Sequence, residues 1–143
     1  MPKAEKIVIR TVSRPTGEDA QSLTNWFFDA FDLSGKGDNP ERLMFEEIVN
    51  NSVKGAGTTS KLLSRQLKLP LSTVIYNLNK FISSGLVVRK GRQYYLRASD
   101  FESTIQEIQA EMVMEFSRMM QFATKLDEII EKEMYGRGRK ARK

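Results

Sequence analysis

The side chains best suited to binding a polyanion are concentrated in residues 54–97. This segment carries nine Lys and Arg and no Asp or Glu, although the whole chain has 18 acidic residues. It also contains a short run rich in hydroxyl and amide groups, Ser72-Thr73-Val74-Ile75-Tyr76-Asn77. A surface with many cations and no carboxylates attracts phosphate groups. The charge distribution therefore predicts a polyanion as the partner of this segment.

Catalytic and metal-binding chemistry is poorly supported by the composition. The chain has no Cys and no His. Disulfides, thiolate or imidazole metal ligands, and Cys- or His-dependent catalysis are thereby excluded. No spacing among the carboxylates suggests a catalytic pair. We expect that the protein is not an enzyme and that it needs no metal or cofactor.

The length and hydropathy of the chain predict a small soluble protein. Its 143 residues are enough for one domain with an additional helix. No apolar run approaches the roughly 20 residues that a transmembrane helix needs, and the N-terminus lacks the pattern of a signal peptide. We expect no membrane association and a cytoplasmic, nucleoid-associated location.

The N-terminal extension, residues 1–38, is predicted to contain one amphipathic helix. Thr16-Gly17-Glu18-Asp19 supplies a cap and early acidic residues for this helix, which continues to about Phe31. Its apolar face has the spacing of one side of a helix and comprises Leu23, Trp26, Phe27, Ala30 and Phe31. This face is a candidate docking site for a protein partner.

A compact domain is predicted over residues 39–97. Asn39-Pro40-Glu41 begins a helix that ends near Val53, and a short helix follows over Ser60–Leu67. A brief turn leads to a helix over 72–84 with Val74, Leu78, Phe81 and Ile82 on its inner side. Two β-rich runs around Lys90-Gly91 then predict a hairpin with a basic tip.

The helix over 72–84 has the polarity expected of a helix that enters the major groove of DNA. Its outward side chains are polar or small, and basic residues flank it on the preceding helix and on the hairpin. Asn side chains can pair with adenine, Ile75 can touch a thymine methyl group, and the cations can reach phosphates. The predicted DNA-binding residues are Lys61, Arg65, Ser72, Thr73, Ile75, Tyr76, Asn77, Asn79, Lys80, Arg89, Lys90 and Arg92.

The string from Thr59 to Val87, TSKLLSRQLKLPLSTVIYNLNKFISSGLV, resembles the winged helix-turn-helix of the ArsR superfamily and related archaeal regulators. The similarity includes Ser64 and Leu69, the Thr73-Val74 opening of the second helix, and the closing Gly85-Leu86-Val87. It extends to a wing at Lys90-Gly91-Arg92 followed by Tyr94-Tyr95-Leu96. The resemblance implies a DNA-binding transcriptional regulator. Metal-sensing members use Cys, His and acidic ligands, so metal sensing is not carried over to this chain.

A long C-terminal helix is predicted over residues 98–135, opened by a capping box at Ser99-Asp100-Phe101-Glu102. Its apolar residues recur at heptad-like intervals with one stutter. Because one small globule cannot easily cover so long a stripe, we expect a homodimer. The predicted dimer interface comprises Ile105, Ile108, Met112, Phe116, Met119, Ala123, Leu126 and Ile130. Residues 136–143, with five basic side chains, are expected to form a disordered tail.

Together these patterns predict a mainly helical fold, a winged helix-turn-helix domain with a small hairpin and a long dimerisation helix. The expected function is sequence-specific DNA binding by a homodimeric transcriptional regulator. Two alternatives remain open at this point. One is a nucleoid-associated or architectural protein with low sequence specificity, and the other is a winged-helix module that binds proteins.

Overall fold

The protein is mainly helical, with a small antiparallel hairpin and a long C-terminal helix. The computed structural model describes residues 7–10, 12–33 and 39–142, with side chains as far as residue 136. Within these residues the elements are α1 (Ala20–Ala30), α2 (Pro40–Val53), α3 (Ser60–Leu67), α4 (Leu71–Ser84), β1 (Val87–Lys90), β2 (Gln93–Leu96) and α5 (Phe101–Arg142). The chain divides into two compact units, Met1–Ile105 and Gln106–Lys143.

The core of the first unit is built on phenylalanine rings. Phe28 lies 5.3 Å from Phe45 and 6.3 Å from Phe81, and Phe45 lies 5.6 Å from Phe81, all in edge-on geometry. Phe101 adds a fourth ring 6.1 Å from Phe45. Aromatic pairs at these separations add to the free energy gained by burying their surface. The cluster ties α1, α2 and α4 to the start of α5.

Helix α1 begins at Ala20, and Asp19 is its cap and not an early acidic residue of the helix as predicted, since the Asp19 carboxylate accepts a hydrogen bond from the Ser22 backbone N–H. Its predicted inner face was partly wrong. Phe28, which the spacing argument omitted, is 1% exposed, whereas Leu23 is 37% exposed. Phe27 packs on Phe101 at 4.6 Å. Most of the face proposed for a protein partner is therefore occupied within the first unit.

Helix α2 follows the predicted bounds and buries Met44, Phe45 and Ile48. Its Arg42 is also buried, which the sequence pattern did not indicate. The guanidinium donates to Glu46 at 2.9 Å, to the Asn25 side chain and to the Gln21 carbonyl. These bonds offset the cost of removing a cation from water and join α2 to α1.

The turn between α3 and α4 is fixed by hydrogen bonds. Ser64 Oγ donates to the Leu69 carbonyl at 2.6 Å, and the Leu69 N–H donates to the Ser64 carbonyl at 3.0 Å. Lys68 between them adopts left-handed backbone angles, with φ of 54°. Helix α4 begins at Leu71, one residue before the predicted start, and has no side-chain cap. Ser72, which was predicted to cap or begin this helix, is therefore its second residue.

The hairpin pairs Val87 with Leu96 and Lys90 with Gln93, around a two-residue turn. Gly91 in that turn has φ of +65°, a conformation that glycine adopts without strain. The hairpin is held on the domain at two points. Thr58 forms an isolated bridge to Tyr94, with N···O distances of 3.1 and 2.7 Å. The buried Ser52 Oγ of α2 accepts from the Leu96 N–H at 2.8 Å.

Helix α5 differs from its prediction at both ends. Asp100, not Ser99, caps it, because its carboxylate accepts from the Ser103 N–H at 2.7 Å. The helical backbone continues to Arg142, beyond the predicted end at 135 and through most of the segment expected to be disordered. Extending an existing helix costs much less than nucleating one, and Arg and Lys are good helix formers. No helix among the described residues is long and apolar enough to cross a membrane.

Candidate nucleic-acid interface

The outer face of α4 presents five of the seven α4 side chains that were predicted to contact DNA. Ser72, Ile75, Tyr76 and Asn79 are exposed, and Thr73 is half-buried beside them. At 3.6 residues per turn the four exposed side chains fall on one side of the helix. The opposite side holds Val74, Leu78 and Phe81, all fully buried. The α4 face, defined here as Leu71, Ser72, Ile75, Tyr76 and Asn79, is thus anchored from behind by the core.

Asn77 does not belong to this face, and the prediction that it contacts DNA was wrong. It is 3% exposed. Its Nδ2 donates to Met44 Sδ at 3.7 Å, and its buried Oδ1 has no hydrogen-bond partner in the described part of the chain. The helical period explains the error, because residue 77 lies three positions after Val74 and four before Phe81. It therefore points inward with them.

Lys80 also departs from its predicted role as a phosphate ligand. Its Nζ lies 3.5 Å from Glu41 Oε2, and only 25% of its side chain is exposed. The ammonium group is directed at the start of α2, where the acidic residue of the predicted helix cap lies. Lys80 thus links α4 to α2 and contributes little charge to the α4 face.

Helix α3 and the turn after it supply cations on one flank of the α4 face. Lys61 and Arg65 are exposed, as the sequence predicted. Lys68, at the turn, is exposed as well. The sequence prediction did not include Lys68 among the DNA-binding residues, because it lies in the short turn between α3 and α4. Its signal was the absence of acidic residues throughout 54–97.

The hairpin supplies cations at its tip. Arg89, Lys90 and Arg92 are exposed there, as predicted. Arg89 Nε donates to the Gly91 carbonyl at 2.8 Å, and its guanidinium lies 5.7 Å from the centre of the Tyr94 ring. Lys90 Nζ lies 5.3 Å from the Tyr95 ring. These contacts hold the long side chains near the tip and reduce the conformational entropy that binding would remove.

Carboxylates do not neutralise these cations within the described residues. Among them, no acidic oxygen lies within 4.0 Å of Lys61, Arg65, Lys68, Lys90 or Arg92. The cations therefore remain available to an external anion. No cluster of three metal-ligating side chains is found in the same part of the chain.

The stripe predicted for dimerisation is exposed over most of the second unit. Phe116, Met119, Leu126 and Ile130 are between 44% and 60% exposed, and Ala123 is exposed with them. Ile105 and Met112 are half-buried. Ile108 is 1% exposed, so its assignment to a dimer interface was wrong.

Comparison of the chain with known protein families, with curated proteins and with solved structures found no match.

Proposed function

We propose that the protein is a sequence-specific, double-stranded-DNA-binding transcriptional regulator with a winged helix-turn-helix domain. The observation that carries the proposal is the exposed, uncharged α4 face together with exposed cations on α3, on the turn after it and at the hairpin tip, which have no acidic partner among the described residues. In this account α4 enters the major groove, which is about 12 Å wide and admits one helix. The hairpin acts as the wing.

The contacts divide into two groups with different roles. Lys61, Arg65 and Lys68 on one flank, with Lys90 and Arg92 on the other, bind phosphates and fix the position of the domain on the duplex. The α4 face contacts base edges and supplies the sequence preference. The Ser64–Leu69 hydrogen bonds hold α3 and α4 at a fixed angle, so both groups act together.

The proposal includes a homodimer formed through α5. Its exposed apolar residues from Phe116 to Ile130 are spaced by three and four residues, as in helices that pair. Such a stripe of large apolar side chains is seldom left in water. Dimerisation would bring two DNA-binding domains to one target and raise the affinity through effective concentration.

Selection from a pool of randomised duplexes tests the proposal. The full chain should enrich a defined motif and bind it roughly 10³-fold or more tightly than random duplex at physiological salt. Binding to both with less than about tenfold difference would instead support an architectural protein of low specificity. No binding to any duplex would support a module that binds proteins.

A further inference from the structure

The α4 face carries no charge, although exposed cations lie on α3, on the turn after it and at the hairpin tip. The only charged residue in α4 is Lys80, which is held at Glu41. The face instead exposes large apolar surface, with Leu71 and Ile75 about 41% and 42% exposed and Tyr76 67% exposed. A helix face that only met water would ordinarily be rich in charged side chains. The α4 face is therefore suited to a partner that presents apolar groups close to anionic groups, which the exposed cations would bind.

The major groove of A·T-rich DNA has these properties. Guanine is read most often by Arg or Lys, which bond to its O6 and N7 atoms, and the α4 face has neither residue. Thymine presents a methyl group, which suits Ile75 and Leu71. Adenine presents N6 and N7, which an Asn side chain such as Asn79 can bond in a bidentate manner.

We propose that the α4 face reads A·T base pairs in the major groove, with Ile75 packed on a thymine methyl group and Asn79 bonded to adenine. This inference rests on the proposed function and specifies its target. The phosphate charge is met by the flanking cations, so the base-reading residues need no charge themselves. Specificity then depends on apolar contact and amide hydrogen bonds.

Replacing thymine by uracil removes the methyl group and leaves the pairing edges intact. We would measure binding of the full chain to an alternating dA·dT duplex of about two helical turns, to its dA·dU counterpart and to an alternating dG·dC duplex. The natural sequence should bind dA·dT roughly fourfold more tightly than dA·dU for each methyl group it covers. It should bind dG·dC more weakly than dA·dT.

Substitutions identify the side chain that causes the difference in binding between thymine and uracil. Ile75→Ala should bind dA·dT more weakly and lose most of the difference between thymine and uracil. Val53→Ala, at an exposed apolar side chain of α2, is the matched control and should keep that difference. Asn79→Ala should reduce the preference for dA·dT over dG·dC.

The outcomes separate this inference from the proposed function. Tight duplex binding that is equal for thymine and uracil, or an uracil penalty that Ile75→Ala retains, would overturn the inference and leave DNA binding in place. Failure to bind all three duplexes would overturn both. It would instead favour a protein ligand for the apolar α4 face.

A second inference concerns the exposed stripe of α5 and rests on the dimer in the proposed function. The stripe residues Met119, Ala123, Leu126 and Ile130 have the same spacing read in either direction. In an antiparallel pair Ala123 meets Leu126 and Met119 meets Ile130. In a parallel pair Ala123 meets Ala123 and leaves a gap in the middle of the interface. Close packing therefore favours the antiparallel pair.

The charged residues of α5 also favour the antiparallel orientation. The antiparallel register that aligns these residues also places Arg118 opposite Glu131, whereas a parallel register places Arg118 opposite Arg118. Residues 101–116 carry four acidic and no basic side chains, and residues 136–143 carry five basic and no acidic ones. Parallel pairing would bring each set against its own like charges, which is unfavourable. We infer that α5 binds a second copy of itself in the antiparallel orientation.

Introduced cysteines test the orientation, because the natural chain has none. Equal amounts of Met119→Cys and Ile130→Cys proteins would be mixed, unfolded, refolded together and oxidised. Antiparallel pairing predicts that the mixed 119–130 disulfide dominates. Dominance of 119–119 and 130–130 disulfides would overturn the inference, as would sedimentation of the full chain as a monomer at every concentration.

Discussion

Some residues in the proposed interface affect both the stability of the fold and the proposed binding of DNA. Lys68 is the clearest example, since it is an exposed cation in a left-handed backbone conformation that favours glycine. Stability alone would place Gly or Asn there. A lysine at this position is explained if its charge contacts a phosphate.

Lys68→Gly should therefore raise stability and weaken DNA binding at the same time. Relief of the left-handed strain contributes about 1 kcal/mol, partly offset by the greater freedom of glycine in the unfolded chain. Denaturant unfolding and duplex titration measure the two effects. Lys61→Gly is the control, since glycine inside α3 should destabilise by about 1 kcal/mol. Equal or lower stability of Lys68→Gly would contradict the strain argument.

Asp100 governs the acid response of the α5 start. The hydrogen bond from the Ser103 backbone N–H, followed by that from the Ser103 side chain, lowers the pKa of this carboxyl below its usual value. The folded state thus favours the ionised form. The contribution of the ionised carboxylate to stability is present above the pKa of Asp in the unfolded chain, about 3.9. It is lost as the pH falls through the lower pKa that Asp100 has in the folded state.

Asp100→Asn should remove the pH-dependent contribution of Asp100 to the stability of the fold, while it keeps a side-chain oxygen that can cap the helix. Its thermal midpoint should be lower than that of the natural protein at pH 7, and the difference should shrink towards pH 3. Glu102→Gln, at an exposed acidic residue two positions further along the chain, should not show a difference that shrinks towards pH 3. A constant difference across this pH range would show that the Asp100 charge is not linked to folding.

At the residue scale, sequence spacing found the exposed members of the α4 face but misassigned two neighbours. Both are polar, and the sequence pattern placed Lys80 on the outward side and Asn77 between the two faces. Helical geometry directs Asn77 into the core, and Glu41, 39 residues earlier in the chain, holds Lys80 at α2. The long-range partner of Lys80 could not be inferred from local periodicity. Arg42 was missed for the same reason, because its partners lie on α1 as well as α2.

At the element scale, the hairpin should act chiefly through phosphate contacts. Lys90→Gln together with Arg92→Gln should weaken binding to all duplexes alike. The slope of log K against log salt concentration should fall by up to about 1.8, since each lost phosphate contact contributes about 0.9. Arg14→Gln, at an exposed arginine outside the interface, should leave the slope unchanged. A changed sequence preference with an unchanged slope would show that the hairpin reads bases instead.

Helix α5 serves both units, and the position of a truncation should reveal this. The composition suggests that a cut before Ser99 leaves a folded domain. The structure indicates otherwise, because Thr104 is fully buried and the Phe101 ring packs on Phe27 and Phe45. A chain ending at residue 98 should lose more than about 3 kcal/mol of stability from the missing aromatic side chain alone.

A chain ending at residue 112 should retain the first unit and lose the exposed stripe. We expect cooperative melting close to that of the full chain and a monomer in sedimentation. Circular dichroism melting of both truncated chains supplies the comparison. If the chain ending at 98 melted like the one ending at 112, the packing assigned to Phe101 and Thr104 would be wrong.

The order of α2, α3, α4 and the hairpin, and their bounds to within one residue, could be predicted because glycines, apolar spacing and, for α2 and α3, cap residues mark them locally. The attachment of the hairpin could not. Thr58 pairs with Tyr94, 36 positions later in the chain, and Gly57 beside it is required because a Cβ there would lie 2.6 Å from Tyr95 Cζ. The sequence shows only a Gly-Thr pair before a helix. The end of α5 was also missed, since glycine and charge argued locally for disorder.

At the scale of the whole molecule, charge and apolar surface are separated along the chain. Residues 54–97 hold nine basic and no acidic side chains, residues 98–135 hold three basic and nine acidic ones, and the exposed apolar stripe lies in α5. A protein that binds DNA with one part and itself with another needs this division. If the first part binds DNA as proposed, the absence of carboxylates there avoids repulsion of phosphate, and the carboxylates on α5 disfavour contact between α5 and DNA.

The central claim is that the cations around α4 bind double-stranded DNA. The most direct test is fluorescence-anisotropy titration of a labelled duplex with a Lys61→Glu, Arg65→Glu, Arg92→Glu variant, compared with Arg14→Glu as control and with melting curves to confirm folding. We predict that the triple variant loses at least about 10²-fold in affinity at physiological salt and that the control binds like the natural protein. Unchanged binding by a folded triple variant would contradict the account.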